Sequence, residues 1–197
     1  MADSDVDVCS AALQLLGAEA ITALTDDSDR ARLCARLYPK ARREVLTAHA
    51  WNRCVARTTL AQASTAPTWG YSYAYPLPVA CLRVLSTSLD RAEEGEGDAW
   101  DIEIDADGNA SLLTDETSVS IRYIVDQTDV TKWSPALEKA IVQDLAAKLA
   151  FPLTQNRELR AEQEQLAARA LSAAKGLDGT EQSKRRYVTT TLTRDVR

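Results

Sequence analysis

The hydrophobic period of this chain changes twice, and that change limits what it can fold into. Up to residue 60, and again from residue 132, apolar residues recur every three or four positions; between residues 81 and 125 they alternate. A helical period on both sides of an alternating one predicts an α+β fold, mainly α. The expected architecture is a bundle of about four helices (1–60 and 132–176), carrying an inserted small antiparallel β subdomain with an aromatic loop (61–131) and ending in an extended C-terminal arm (177–197).

The first helix is expected over residues 4–17, with Val8, Ala11, Ala12, Leu15 and Leu16 inward, Ser4 or Asp5 as cap and Gly17 as stop. Asp27 or Ser28 caps a second helix with Ala31, Cys34, Leu37, Tyr38, Ala41, Val45 and Leu46 on one face, and Pro39 is expected to kink it. Residues 61–80 read as a loop, punctuated by prolines and loaded with Trp69, Tyr71, Tyr73 and Tyr75. The stretches CLRVLSTS, WDIEIDADGNASLLTD and SVSIRYIV read as three or four strands, with Asp107-Gly108 as a tight turn. Ser134-Pro135 starts a third helix ending at Phe151-Pro152. Thr154 opens a fourth carrying Leu159, Leu166, Ala170 and Leu171, and residues 176–184 read as a flexible polar spacer.

The 197 residues suffice to bury roughly 70% of the unfolded surface. No run of about 18 apolar residues occurs and the start is acidic, so neither a membrane span nor an export signal is expected, and synthesis is placed in the cytosol. Cys9, Cys34, Cys54 and Cys81 stand singly, without metal-ligand spacing, and read as buried free thiols.

Charge is unevenly spread. Arg30, Arg32, Arg36, Lys40, Arg42, Arg43, Arg53 and Arg57 face only Glu44 in their stretch, whereas residues 90–129 hold thirteen acids against Arg91 and Arg122. Such asymmetry suits self-association through complementary patches, with Arg36, Arg43, Trp69, Tyr71 and Tyr73 as subunit-contact candidates. A net charge of -6 argues against tight gripping of nucleic acid.

Three patterns bear on chemistry. EIDADGNASLLTDE approaches a calcium loop through Glu103, Asp105, Asp107 and Gly108, but it begins with Glu and has Thr114 where a bidentate carboxylate is needed. Strand-like flanks make it a hairpin. His49, the only histidine, stands beside Trp51 without a nucleophile motif and reads as a packed or capping residue. Carboxylates of residues 90–129, with the aromatic loop as a platform, leave a virion-associated glycan hydrolase as the rival reading. A DNA-binding module is a third. No metal, cofactor or catalytic residue is assigned.

Taken in order, CSAALQLLGAEAITALTDDSDRARLCARLYPKARREVLTAHAWNRCVARTTLA, WGYSYAYPLPVACLRVL and VTKWSPALEKAIVQDLAAKLAFPLTQN resemble the phage tail tubular protein A family of head-to-tail adaptors, over about residues 8–175. Pro39 and Ala80 depart from the family pattern. The resemblance implies a non-enzymatic structural virion protein at the head–tail junction. Such proteins form a ring, commonly dodecameric, between the portal protein and a downstream tail protein, and double-stranded DNA passes through the lumen without specific binding.

The chain closes on RRYVTTTLTRDVR, rich in strand formers that lack a sequence neighbour to pair with. In the resemblance family the C-terminal segment engages the portal. That makes Arg185, Arg186, Tyr187, Val188, Thr190, Leu192 and Val196 the portal-binding candidates here, by addition of a strand to a sheet edge.

Overall fold

Among the described residues, each α-helix begins where a side chain accepts a hydrogen bond from its own first turn. Ser4 accepts from the Asp7 N–H, Ser28 from Ala31, Ser134 from Leu137, and Asn156 from Glu158 and Leu159. The structure is a computed structural model that describes residues 2–89, 100–105 and 108–181. Its elements are α1 (Asp5–Leu15), α2 (Asp29–Thr47), β1 (Val55–Thr59), β2 (Tyr73–Pro76), β3 (Cys81–Thr87), β4 (Trp100–Ile104), β5 (Ala110–Thr114), β6 (Ser120–Val125), α3 (Pro135–Thr154) and α4 (Arg157–Thr180). This is an α+β fold, mainly α. Among the described residues no helix is long and apolar enough to cross a membrane.

The strands form two antiparallel sheets of three strands each, an inner one ordered β1-β6-β3 and an outer one ordered β2-β5-β4. The inner sheet has one core on each face. Ile124 of β6 joins the helical core around Trp51, Trp133, Leu137, Ile141 and Leu145, while Ile121 and Tyr123 of the same strand pack with Tyr75 and Leu112 of the outer sheet. The molecule is therefore layered as helices, inner sheet, outer sheet. In β3, register shifts near Leu82 and Leu85 break the alternation, and both residues reach the helical core while Val84 faces the other way.

Trp51 and Trp133 are fully buried, and each satisfies its indole N–H on a backbone carbonyl, Val45 at 2.9 Å and Gln127 at 3.1 Å.

Several expectations are corrected. Leu15 is 48% exposed, because α1 turns Val8, Cys9, Ala12 and Leu13 inward. β1 belongs to the inner sheet although residues 1–60 read as helical, and Tyr73–Pro76 leaves the aromatic loop to form β2. Both strands are short and become strands only through β6 and β5. Pro39, where a kink is expected, lies inside α2, which is helical from Asp29 to Thr47. α3 passes through Pro152 to Thr154, where Gln155 adopts a left-handed conformation, φ 53°, and Asn156 rather than Thr154 caps α4.

The largest correction concerns residues 176–180, expected as spacer and arm. They continue α4 through Gly176 and Gly179. Each glycine costs a helix about 1 kcal/mol relative to alanine, and tertiary contacts of Asp178 outweigh that.

Candidate functional site

The aromatic loop is fastened to the rim of the outer sheet by its polar atoms. Tyr71 Oη donates to Asp101 Oδ2 at 2.6 Å, the Ser72 N–H and Oγ both donate to Asp115 Oδ1 at 2.8 Å, and Tyr75 Oη donates to the Glu116 carbonyl at 2.8 Å. The Asp101 bond pushes the Tyr71 phenol up. Gly70, φ 89°, supplies the positive backbone angle beside Trp69. Trp69 itself is 85% exposed, whereas Tyr73 packs against the outer core. An indole held in water on a fixed loop is suited to contact with another surface.

β4 forms the edge of the same sheet. Its residues pair with β5 as Trp100 with Thr114, Ile102 with Leu112 and Ile104 with Ala110. Those pairs set Ile102 and Ile104 on the face of Leu112 and Tyr75, yet Ile102 is 46% and Ile104 75% exposed, because the core beneath ends short of them. Asp101, Glu103 and Asp105 alternate with them. Among the described residues β4 has a strand neighbour on one side only.

The calcium-like stretch folds as the expected hairpin. The Asp105 N–H donates to the Asn109 carbonyl at 2.8 Å, Asp105 Oδ1 accepts from the Asn109 N–H at 2.8 Å, and Gly108 takes φ 84°. Asp107 lies outside the described residues. Among the described residues no group of three or more His, Cys, Asp or Glu side chains is placed to hold a metal ion.

The basic and acidic stretches, expected as separate patches, meet inside the chain. Arg42 Nε donates to Asp126 Oδ1 at 3.0 Å and its Nη2 to Oδ2 at 3.1 Å, while Arg43 Nε donates to Oδ2 at 2.8 Å. The Arg42 side chain is 7% and that of Asp126 10% exposed. Burial raises the Asp126 carboxyl, but the two guanidiniums outweigh it and hold the group below the ordinary carboxylate range. Arg43 is thus engaged within the chain itself. Arg36 and Lys40, exposed on α2, make no ion pair among the described residues.

A groove of about 600 Å³ runs over α3 between α2 and α4, floored by Ala140, Ala147, Ala167 and Ala168. In its wall Lys148 Nζ reaches Glu44 Oε2 at 2.7 Å and Asp144 Oδ2 at 3.0 Å. Burial pushes the Asp144 carboxyl up against the opposing pull of Lys148.

The end of α4 is locked to the turn before β1. Asp178 accepts from the Asn52 N–H at 3.1 Å, its carbonyl accepts from Asn52 Nδ2 at 2.8 Å, and its Oδ2 lies 3.1 Å from His49 Nε2. His49 in turn sets its ring edge against Trp51, centroids 4.9 Å apart. His49 is the expected packed residue. Asp178 was missed, although its spacing from Gln163, Ala167 and Ala174 marks one helix stripe. Gln163 also went unnoticed; it accepts from Gln143 Nε2 at 2.6 Å between α3 and α4. Burial and the Asp178 charge push the neighbouring Cys54 thiol up to about 12. Cys9, Cys34 and Cys54 are buried free cysteines and Cys81 is half-buried.

The arm candidates Arg185, Arg186, Tyr187, Val188, Thr190, Leu192 and Val196 lie outside the described residues, which stop at Glu181 directly after this lock. Of the body candidates, Trp69 and Tyr71 share the outer rim, Tyr73 is inside it, and Arg36 and Arg43 stand on α2. No family model and no curated protein matches the chain.

Proposed function

We propose that this chain is a structural virion protein: a head-to-tail adaptor that forms a ring between a portal protein and a downstream tail protein. Double-stranded DNA passes through the ring's lumen, and the C-terminal arm engages the portal. Its work is assembly, and no catalytic step is assigned to it.

The observation that carries this reading is a pair of unlike surfaces in different layers. The outer sheet presents Trp69, Ile102 and Ile104 among Asp101, Glu103 and Asp115, while α2 presents Arg36 and Lys40 without ion-pair partners among the described residues. A closed ring needs heterologous contacts, one patch of each copy meeting a different patch of the next, and opposite charge fixes the register. The excess of acid over base in the chain suits a channel through which a polyanion must slide. The Asp178 lock supports the reading by fixing the point from which the arm departs.

The test is electron microscopy of the full chain mixed with its portal protein, against a chain ending at residue 181. Rings on the portal vertex that disappear with the arm are the expected result. Undiminished binding without the arm refutes the arm's role, and a full chain that never joins the portal refutes the adaptor reading.

A further inference from the structure

We propose that the groove over α3 is the socket for Trp69 of a second copy of this chain, so that copies join head to tail, indole into groove. This rests on the adaptor reading and names the two surfaces through which its subunits meet.

The socket is shaped by small side chains. Where α3 and α4 face α2 they present Ala140, Ala147, Ala167 and Ala168, whose methyl groups leave the space unfilled, and a groove of about 600 Å³ stays open between walls that include Leu37 and Leu171. That volume lies in the range of sites that enclose ligands larger than an indole. Phe151, 37% exposed, lines the groove and offers an aromatic partner a ring to stack on or meet edgewise. The wall carboxylates of Glu44 and Glu164 are acceptors for an indole N–H.

The plug is prepared for burial. Trp69 is 85% exposed, and the residues that follow it are tied down, Tyr71 to Asp101 and Ser72 to Asp115. A side chain presented on a fixed loop loses less freedom on docking than one on a loose loop, and Trp is enriched among the residues that dominate interfaces. A chain cannot seat its own indole. Trp69 belongs to the outer sheet and the groove to the helical layer, with the inner sheet between them, about 20 Å across at roughly 10 Å per layer. The occupant therefore comes from another molecule, and a contact between two different patches of the same chain is heterologous, the kind that closes into rings.

Charge favours the same pairing. Asp101, Glu103 and Asp115 act together on the Tyr71 hydroxyl, two residues from Trp69, and none of the three makes an ion pair among the described residues. In the groove, Lys148 meets Glu44 and Asp144, and Arg160 meets Glu164. Lys40 in the α2 wall and Arg36, one turn before it, stand outside those pairs. Acids beside the plug and bases beside the socket attract each other. Two plugs face to face would set like charges together, so the head-to-tail contact is selected over that symmetric one.

Sedimentation velocity of the full chain up to about 100 μM tests this, with the urea midpoint of each variant as the check on folding. Trp69→Ala and Ala168→Glu, both at exposed positions, are each expected to weaken association about thirtyfold, and Lys40→Glu about tenfold. Trp69→Ala keeps a working socket and Ala168→Glu a working plug, so the two variants mixed should give one-to-one dimers and nothing larger. A wild-type chain that stays monomeric overturns the inference, as does undiminished association of either variant, or a mixture that stays monomeric. Association that appears only after residues 182–197 are removed also overturns it, since the chain's own end then fills the groove. Portal binding is scored separately by electron microscopy. Portal rings built equally well by Trp69→Ala overturn this contact and keep the adaptor reading; plug-dependent association of a chain that never joins the portal keeps this contact and sinks the adaptor reading.

Discussion

Asp178 receives the backbone N–H of Asn52 at 3.1 Å and returns its own carbonyl to Asn52 Nδ2 at 2.8 Å, across 126 residues of chain. The pair ties the last turn of α4 to the turn that feeds β1, so helical bundle and inner sheet are joined at the place where the described chain ends. A buried carboxylate with several donors is costly to remove, because the donors it served are left without an acceptor.

Asp178→Ala should therefore lower stability by about 2–3 kcal/mol in urea denaturation and speed amide exchange over residues 174–181, where Gly176 and Gly179 contribute no helix propensity of their own. Asp178→Asn, which keeps an acceptor, should lose about half as much. Unchanged exchange at the end of α4 would show that the lock does not hold it.

Asp126 is the charge on which Arg42 depends. Asp126→Ala leaves a guanidinium that is 7% exposed without its carboxylate and should cost about 3 kcal/mol; Arg43→Ala, at an exposed side chain, should cost under about 1 kcal/mol. Since the folded state holds the Asp126 proton less tightly than the unfolded chain does, its contribution is fully present above about pH 4 and is lost as pH falls through the lowered folded value. Acid unfolding followed by circular dichroism should show a shallower pH dependence in Asp126→Ala.

Trp69→Ala should leave the unfolding midpoint unchanged within about 0.5 kcal/mol, because the side chain is 85% exposed. The same variant should weaken self-association measured by sedimentation. Equal association in both proteins removes Trp69 from the subunit contact.

Gln155 closes α3 with φ 53°, a conformation that costs a residue bearing a Cβ about 1 kcal/mol and costs glycine almost nothing. Gln155→Gly should raise stability by about that amount. A lower melting temperature would mean that the side chain holds the α3–α4 turn.

The helices and the β4–β5 hairpin were legible because their signals are local. Ser4, Ser28 and Ser134 cap where the apolar period begins, and Ile102 and Ile104 alternate before a Gly turn. β1 and β2 were not legible. Val55–Thr59 and Tyr73–Pro76 carry too few residues to set a period, and each is a strand only because β6 or β5 supplies its hydrogen bonds. For the candidate site, Trp69, Tyr71 and Arg36 were visible as residue types, but their exposure and pairing were not.

What the amino-acid sequence determined by itself is where helices start, where the hydrophobic period changes and where charge accumulates, since each depends on neighbours within a turn or two. Which of those charges remain free was decided only by the tertiary structure. Arg43 and Asp126 are 83 residues apart in sequence yet 2.8 Å apart in space, while Arg36, two helical turns before Arg43 on the same helix, makes no ion pair among the described residues. α4 continues past Gly176 for the same reason: a helix end with poor propensity persists when a distant backbone N–H, here that of Asn52, gives its buried carboxylate a partner.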